Sequence, residues 1–298
     1  MTRSDPLHSA AGAWPVPSKP ISSGLYIVST PIGNLRDVTF RALDTLAAAD
    51  LILAEDTRIT RRLLDAYGVK TPMRAYHDHN AESVRPDIIA RLGDGAIIAQ
   101  VSDAGTPMVS DPGYKLARAA IEAGADVVSI PGASAALAGL TVSGMPSDAF
   151  VFAGFPPAKS GKRRAFFEAW AAAPASLIVY EAGPRLADSL SDMAATLGDR
   201  PAAVARELTK AFEETRRGSL TALAAHYAQA GPPKGEIVVV IGPPPAHASA
   251  WDSEAIDQAL VEAMREASVK DAAAEVADLS GQPKRALYQR ALALKDKA

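Results

Sequence analysis

The sequence predicts a two-domain α/β protein, with a parallel-sheet N-terminal domain, a mixed-sheet C-terminal domain and a small helical, helix-turn-helix-like appendage. Three observations carry this. From Gly24 to about Met145 short apolar runs alternate with helical patterns, as expected of strands buried on both faces of a parallel sheet. A second series begins after GMPSD (144–148) and includes two consecutive strands with no helix between them, which points to partly antiparallel pairing. Near the end, SVKDAAAEVADLSGQPKRALYQRAL (268–292) holds two short helical patterns broken at Ser280-Gly281.

Taken in order, residues 1–23 are rich in Pro, Ser and Ala, with no continuous apolar stretch. They read as a disordered leader rather than a secretory signal. The first domain, 24–145, is expected to hold strands at LYIVS (25–29), LILAE (51–55), MRAY (73–76), AIIAQVS (96–102) and DVVSI (126–130). Leu43, Leu46 and Ala47 follow helical spacing between the first two. The second domain, 146–243, offers strands at FVFAGF (150–155), SLIVYE (176–181), AAVARELT, KAFEETRRG and GEIVVVIG (235–242), with helices at KSGKRRAFFEAWAAA and PRLADSLSDMAATL. PPPAHASA (243–250) reads as a linker, and 251–298 as a helical tail. Its second helical pattern suits a nucleic-acid groove. The plainer alternative packs Leu279 and Leu287 into the body.

Composition narrows the function classes. The 298-residue chain has a net charge of −3 and no cysteine, so bulk charge gives no support to nucleic-acid binding, and disulfides and thiolate metal sites are excluded. No run approaches the length of a membrane span. The cytoplasm is the expected compartment.

Ligands of open α/β sheets bind beyond the carboxyl ends of the strands. Here those ends run into STPIGN (29–34), EDTR (55–58), YHDHN (76–80), SDAGTP (102–107) and PGASA (131–135). Together they describe one ligand-facing rim, with Glu55 a functional candidate and Asp103 left open. No P-loop or dinucleotide fingerprint occurs, and SDAGTP lacks the lysine of a phosphate cradle. Metal ligation is not expected either. Asp111 reads as the cap of a helix starting at Pro112, with Leu116, Ala117, Ala120 and Ile121 as its buried stripe. His77 and His79 alternate on a strand-like segment and would face opposite ways. Asp56 or Thr57 suits the cap of the following helix, whose Arg58, Arg61 and Arg62 read as a solvated face.

The motifs LYIVSTPIGNLRDVTFRAL, AEDTR, YHDHN, VSDAGTPMVSDPGY, PGASA, FAGFPPAK and ARELTKAFEE, in this order and spacing, resemble the tetrapyrrole methylase superfamily. The resemblance runs from about Leu25 to the C-terminus. Cobalamin-pathway relatives carry G-P-G-D and G-G-D-P loops where this chain has Thr30-Pro31-Ile32-Gly33 and Ala104-Gly105-Thr106-Pro107. That departure favours the branch that methylates the ribose 2′-hydroxyl of a cytidine in the decoding region of 16S rRNA, on the assembled small ribosomal subunit.

The resemblance implies a tetrapyrrole-methylase-like fold, S-adenosylmethionine (SAM) as methyl donor without a metal, a homodimer, and no membrane partner. Cofactor contacts are implied at Pro31, Ala104, Gly105, Thr106, Val109, Ser134, Ala135, Tyr180, Glu181, Leu208 and Gly235. Candidates for orienting or deprotonating the hydroxyl are Glu55, Asp56 and Lys210. Arg58, Lys159, Lys162, Arg163 and Arg164 are expected to touch RNA phosphates, and Lys284, Arg285 and Arg290 of the tail could do the same. Two rivals remain at this stage: a methyltransferase of the same fold acting on a corrinoid or other small molecule, and a helix-turn-helix regulator without catalysis.

Overall fold

A computed structural model describes residues 20–108, 113–245, 253–280 and 282–295. Val109, Asp111 and Pro112 lie outside the described residues, as does the expected leader up to residue 19. Residues 21 and 22 join the body. Ile21 packs on the core, and the Tyr26 hydroxyl donates to the Ser22 carbonyl at 2.8 Å.

The first sheet is built from β1 (Gly24–Val28), β2 (Leu51–Ala54), β3 (Met73–Ala75), β4 (Ile97–Val101) and β5 (Val127–Ile130), in the order β3-β2-β4-β1-β5. Every pairing is parallel. The two-residue period of a strand sorts its side chains between two cores. Tyr26, Val28, Ile52, Ala54, Ala99 and Val101 face one side; Leu25, Ile27, Leu51, Leu53 and Ile98 face the other. Helices α1 (Phe40–Ala48) and α2 (Thr57–Ala66) cover the first side, while α3 (Ala81–Gly93) and α4 (Tyr114–Glu122) cover the second.

That division follows from handedness. The chain steps one way along the sheet from β1 to β3 and back the other way from β3 to β5. Right-handed crossovers therefore put the two pairs of helices on opposite faces. The loops after the adjacent strands β1 and β4 consequently diverge, leaving a crevice at their carboxyl ends. Thr39 caps α1 by accepting from the Ala42 amide at 3.1 Å. Asp56 caps α2 by accepting from the Arg58 amide at 2.8 Å.

The second sheet comprises β6 (Phe150–Phe152), β7 (Ser176–Ala182), β8 (Pro201–Arg206), β9 (Glu214–Ser219) and β10 (Glu236–Ile241), in the order β6-β7-β10-β8-β9. Only β6 and β7 pair in parallel. One face is covered by α6 (Ser160–Glu168), α7 (Leu186–Leu197) and α8 (Leu220–Ala230). The other face meets α5 (Ala135–Ser143), the helix that follows β5, with Ala136 and Leu140 packed among Ile178, Ala205, Val238 and Val240. Gly139 permits this approach, because a Cβ there would stand 2.6 Å from Val238 Cγ1. Both sheets thus belong to one compact unit.

The helical tail forms a separate unit. Among the described residues it contains α9 (Ser253–Glu266), α10 (Val269–Ser280) and α11 (Lys284–Lys295). Its own core unites Ile256, Leu260, Ala273, Val276, Leu287 and Ala291. Leu279 does not pack inward; it is 64% exposed.

Other expectations also need correction. The helix expected to start at Pro112 starts at Tyr114, and Gly113 at φ 140° takes the capping position. Ile121 leaves its stripe and is exposed, because only Leu116, Ala117 and Ala120 turn toward the sheet. The expected alternation of His77 and His79 does not occur. The strand ends at Ala75, the chain turns, and the two rings stack edge to face at 5.9 Å. KAFEETRRG is strand only from Glu214 onward, the residues before it forming a loop.

Candidate active site

The carboxyl ends of the first sheet and the ends of the interior strands β7 and β10 of the second enclose a cavity of about 420 Å³. Small-molecule sites usually occupy ~300–1,000 Å³. The floor comes from the loop after β4, where Ala104, Gly105 and Thr106 line the space. Gly105 has φ +82°, a left-handed value that suits glycine, and its backbone exchanges two hydrogen bonds with Thr30, at 2.9 and 3.1 Å. The loops after β1 and β4 are thereby joined across the crevice. The Thr106 hydroxyl adds contacts to Ser29 Oγ at 2.9 Å and to the Ala133 carbonyl at 3.2 Å.

Ser134 and Ala135 line the next wall, at the start of α5. Tyr180 pegs this helix to β7, its hydroxyl accepting from the Ala136 amide at 3.1 Å. Its ring packs edge-on against Phe152 and Phe155. Beside it the Glu181 carboxylate, fully buried, pairs with Arg185 at 3.2 Å and accepts from the Ala182 amide at 2.8 Å. Leu208 and Gly235 complete the far side.

The structure therefore brings Ala104, Gly105, Thr106, Ser134, Ala135, Tyr180, Glu181, Leu208, Gly235 and Glu55 to one cavity. Pro31 is not in the lining; its neighbour Ile32 is, buried against α5 and Leu208. Val109 lies outside the described residues. Asp103, Phe155, Ala182, Glu236, Ile237 and Val238 line the cavity without having been singled out as cofactor contacts. Phe155 stands in the FAGFPPAK motif, which was the signal for it. The β10 residues read simply as core strand.

The three candidates for handling a proton separate clearly. Glu55 lines the cavity. Asp56 does not: both of its oxygens engage the Arg58 guanidinium, at 2.6 to 3.2 Å. Those bonds, with the Arg58 amide, hold its carboxyl at about 2. Lys210 lies behind the wall, its ammonium 2.8 Å from both Glu207 and Glu236. Burial works against that charge, but the two carboxylates outweigh it and raise the lysine pKa. Lys210 is therefore a cation that ties the loop after β8 to the start of β10.

That loop is strained. Glu207 and Thr209 adopt φ values of 52° and 67°, which cost non-glycine residues about 1–3 kcal/mol each. The Lys210 stem crosses Gly33 so closely that a Cβ there would meet its Cγ at 2.6 Å.

The proposed phosphate contacts fare unevenly. Arg58 is exposed although paired with Asp56, and Lys159 and Lys162 are exposed at the start of α6. Arg163 is not available. Its guanidinium is buried against Asp192 of α7, with contacts of 2.6 and 2.8 Å, because α6 packs this face onto α7. Arg164 reaches the same carboxylate at 2.6 Å from a half-exposed position. Among the described residues no group of three His, Asp or Glu side chains could hold a metal ion, and no helix is long and apolar enough to cross a membrane.

Known proteins agree with this arrangement. The tetrapyrrole (corrin/porphyrin) methylase family matches residues 24–224, and the RsmI C-terminal HTH domain matches residues 250–295. A ribosomal RNA small subunit methyltransferase I from Mesorhizobium japonicum is 54% identical, over 96% of this chain and 97% of its own. Its namesake from Escherichia coli O157:H7 is 45% identical, over 90% and 94%. Among solved structures, uroporphyrin-III C-methyltransferase from Thermus thermophilus, complexed with S-adenosyl homocysteine, shares the fold at 17% identity and a TM-score of 0.53, covering 74% of this chain and 97% of that one. A cobalamin biosynthetic enzyme, cobalt precorrin-4 methyltransferase, does so at 16% and 0.54, covering 73% and 94%. Sequence motifs, two-sheet architecture and appended helical unit thus converge: the chain belongs to the tetrapyrrole methylase family, among the ribosomal RNA small subunit methyltransferases I.

Proposed function

We propose that this protein methylates the ribose 2′-hydroxyl of a cytidine in the decoding region of 16S rRNA, using SAM, on the assembled small subunit in the cytoplasm. The observation that carries the reading is the convergence, in one cavity, of the rim motifs that distinguish the RNA-modifying branch. The names of relatives at 45% and 54% identity support ribosomal RNA as the substrate class.

The residues fit the cofactor. Among the described residues no lysine or arginine is in the cavity lining, whereas Glu55, Asp103, Glu181 and Glu236 are. That composition suits a ligand with a positive centre and no phosphate. When bound, SAM supplies an activated methyl: the 2′-oxygen forms the new O–C bond, the C–S bond breaks with its electron pair staying on sulfur, and the hydroxyl proton passes to a base. The chain's task is then alignment, which contributes up to ~7–11 kcal/mol when well organised. Gly105 lets backbone approach the cofactor, and the Tyr180 peg keeps Ser134 and Ala135 in register with β7. Arg58, Lys159, Lys162 and Arg164 supply positive charge for RNA phosphates outside the cavity. A homodimer belongs to the same reading.

The test incubates the protein and labelled SAM with three acceptors: small subunits lacking the modification, naked 16S rRNA and a corrinoid precursor. The expected result is label in the subunits, mapped to a cytidine 2′-oxygen. Label in the corrinoid alone selects the small-molecule rival, and label in none refutes the methyltransferase assignment.

A further inference from the structure

The proposed reaction needs a group to take the hydroxyl proton, and resting on that reading we infer that Asp103 is that group. It is the proton acceptor in place of Asp56 and Lys210, with Glu55 beside it serving to position the ribose.

The argument starts from geometry. Asp103 follows β4 directly, on the loop whose next three residues line the cavity floor, and it lines the cavity itself. Its Oδ1 accepts a hydrogen bond from the Asp56 amide at 2.9 Å. That bond joins the loops after β2 and β4 and holds one oxygen of the carboxylate. Among the described residues Oδ2 accepts no hydrogen bond from the chain, so one oxygen is anchored and the other is available. A general base must come within hydrogen-bond reach of the proton it takes, and a carboxylate at the cavity lining anchored by one oxygen leaves its other oxygen for that contact.

Its surroundings point the same way. Burial, together with the neighbouring Asp56 carboxylate, pushes the Asp103 carboxyl up, while the Asp56 amide and the Arg58 guanidinium oppose that shift. Among the described residues the other charged residues lining the cavity are Glu55 just after β2, Glu181 of β7 and Glu236 of β10. Glu181 is held by Arg185 and Glu236 by Lys210. A partly desolvated carboxylate is a stronger proton acceptor than one spent on a guanidinium. Asp56 is so spent, and Lys210 carries its proton.

The step balances simply. The 2′-hydroxyl proton moves to Asp103 Oδ2 as the oxygen bonds to the methyl carbon, and the neutral carboxyl later returns the proton to solvent.

The experiment measures single-turnover methyl transfer against pH for the wild type, Asp103→Asn, Asp103→Glu and Glu55→Gln, with SAM affinity measured separately for each. Asn retains an oxygen to accept from the Asp56 amide, so the loops stay joined. With SAM saturating, as the separate affinity measurement ensures, Asp103→Asn is expected to lose ~10²–10⁴-fold in rate and to lose the acid limb of the profile. Asp103→Glu retains that limb. An Asp103→Asn variant with wild-type rate and limb overturns the inference, as does loss of the limb in Glu55→Gln instead. Rates are compared on whichever acceptor the wild type labels. Label in the corrinoid alone therefore refutes the ribosomal reading while Asp103 is still judged by its rate ratio; label in none refutes both.

Discussion

Arg163→Ala distinguishes a structural ion pair from an RNA contact. The Asp192 carboxylate is almost fully buried and receives Arg163 Nη2 at 2.6 Å, Arg163 Nε at 2.8 Å, Arg164 Nε at 2.6 Å and Ser160 Oγ at 3.0 Å. Arg163 also donates to the Ala158 carbonyl at 3.1 Å. Removing one partner of a buried pair costs about 3–5 kcal/mol, because the remaining charge stays desolvated. Arg164 and Ser160 remain to Asp192, so the lower end applies, about 3 kcal/mol. For a body of this size that is a drop in Tm of roughly 6–12 °C. Burial pushes against the charge on Asp192, but its bonds to Arg164, Arg163 and Ser160 prevail and hold its carboxyl below the ordinary value. A depressed carboxylate stabilises the fold above its unfolded pKa of about 3.9 and ceases to do so as pH falls through the folded value. The gap between variant and wild type is therefore full at pH 7 and narrows in acid. Thermal melts across pH, with Lys162→Ala as exposed control, provide the assay. If Arg163→Ala melts with the wild type and instead weakens small-subunit binding, the structural assignment is wrong.

Three further outcomes follow from the same contacts. Lys159→Ala with Lys162→Ala leaves the Tm in place but lowers the log–log salt slope of small-subunit binding by about 1.4, at ~0.7 per phosphate; an unchanged slope removes both residues from the interface. Lys210→Met keeps the stem over Gly33 but loses the bonds to Glu207 and Glu236, one of them well exposed. Titration should show SAM binding weakened about tenfold, near 1.4 kcal/mol, and unchanged affinity would show that the strap does not shape Leu208 and Gly235. Gly139→Ala forces a methyl onto Val238; overpacking of this kind costs about 1–3 kcal/mol. A chemical melt should register that loss together with weaker SAM binding, since Val238 also lines the cavity.

The architecture was readable because strand periodicity is a local signal. Tyr26 and Val28 on one side, with Leu25 and Ile27 on the other, can be sorted without knowing any partner. Much of the rim was readable too, since βα turns sit where the strands stop. Long-range pairing was not. Nothing around KSGKRR shows that Arg163 meets Asp192, 29 positions away, so by sequence it is indistinguishable from Lys159 and Lys162. Ile237 and Val238 were invisible for the opposite reason: a strand that forms a cavity wall has the same apolar code as one that fills a core. Glu207 and Thr209 take left-handed backbone without glycine to announce it. The sequence does not single out Asp103, because the contact that anchors it comes from the Asp56 amide, and a backbone donor leaves no mark on composition.

Charge placement, rather than total charge, reconciles a net acidic chain with the proposed polyanionic substrate. Glu55, Asp103, Glu181 and Glu236 line the cavity, the Glu181 carboxylate itself being buried against Arg185, and Lys210, which pairs with Glu236, stands behind the wall. Positive charge that is free to meet solvent lies elsewhere, at Lys159 and Lys162. Interactions inside a partly desolvated cleft are screened far less than those at the surface. Such a cavity draws in a sulfonium and repels phosphates, so an RNA strand can offer a ribose hydroxyl while its backbone stays outside. Methyl transfer removes the positive charge from the ligand. The walls that favoured the donor then lose that attraction for the thioether product, and the arrangement that selects the reactant also helps release what it becomes.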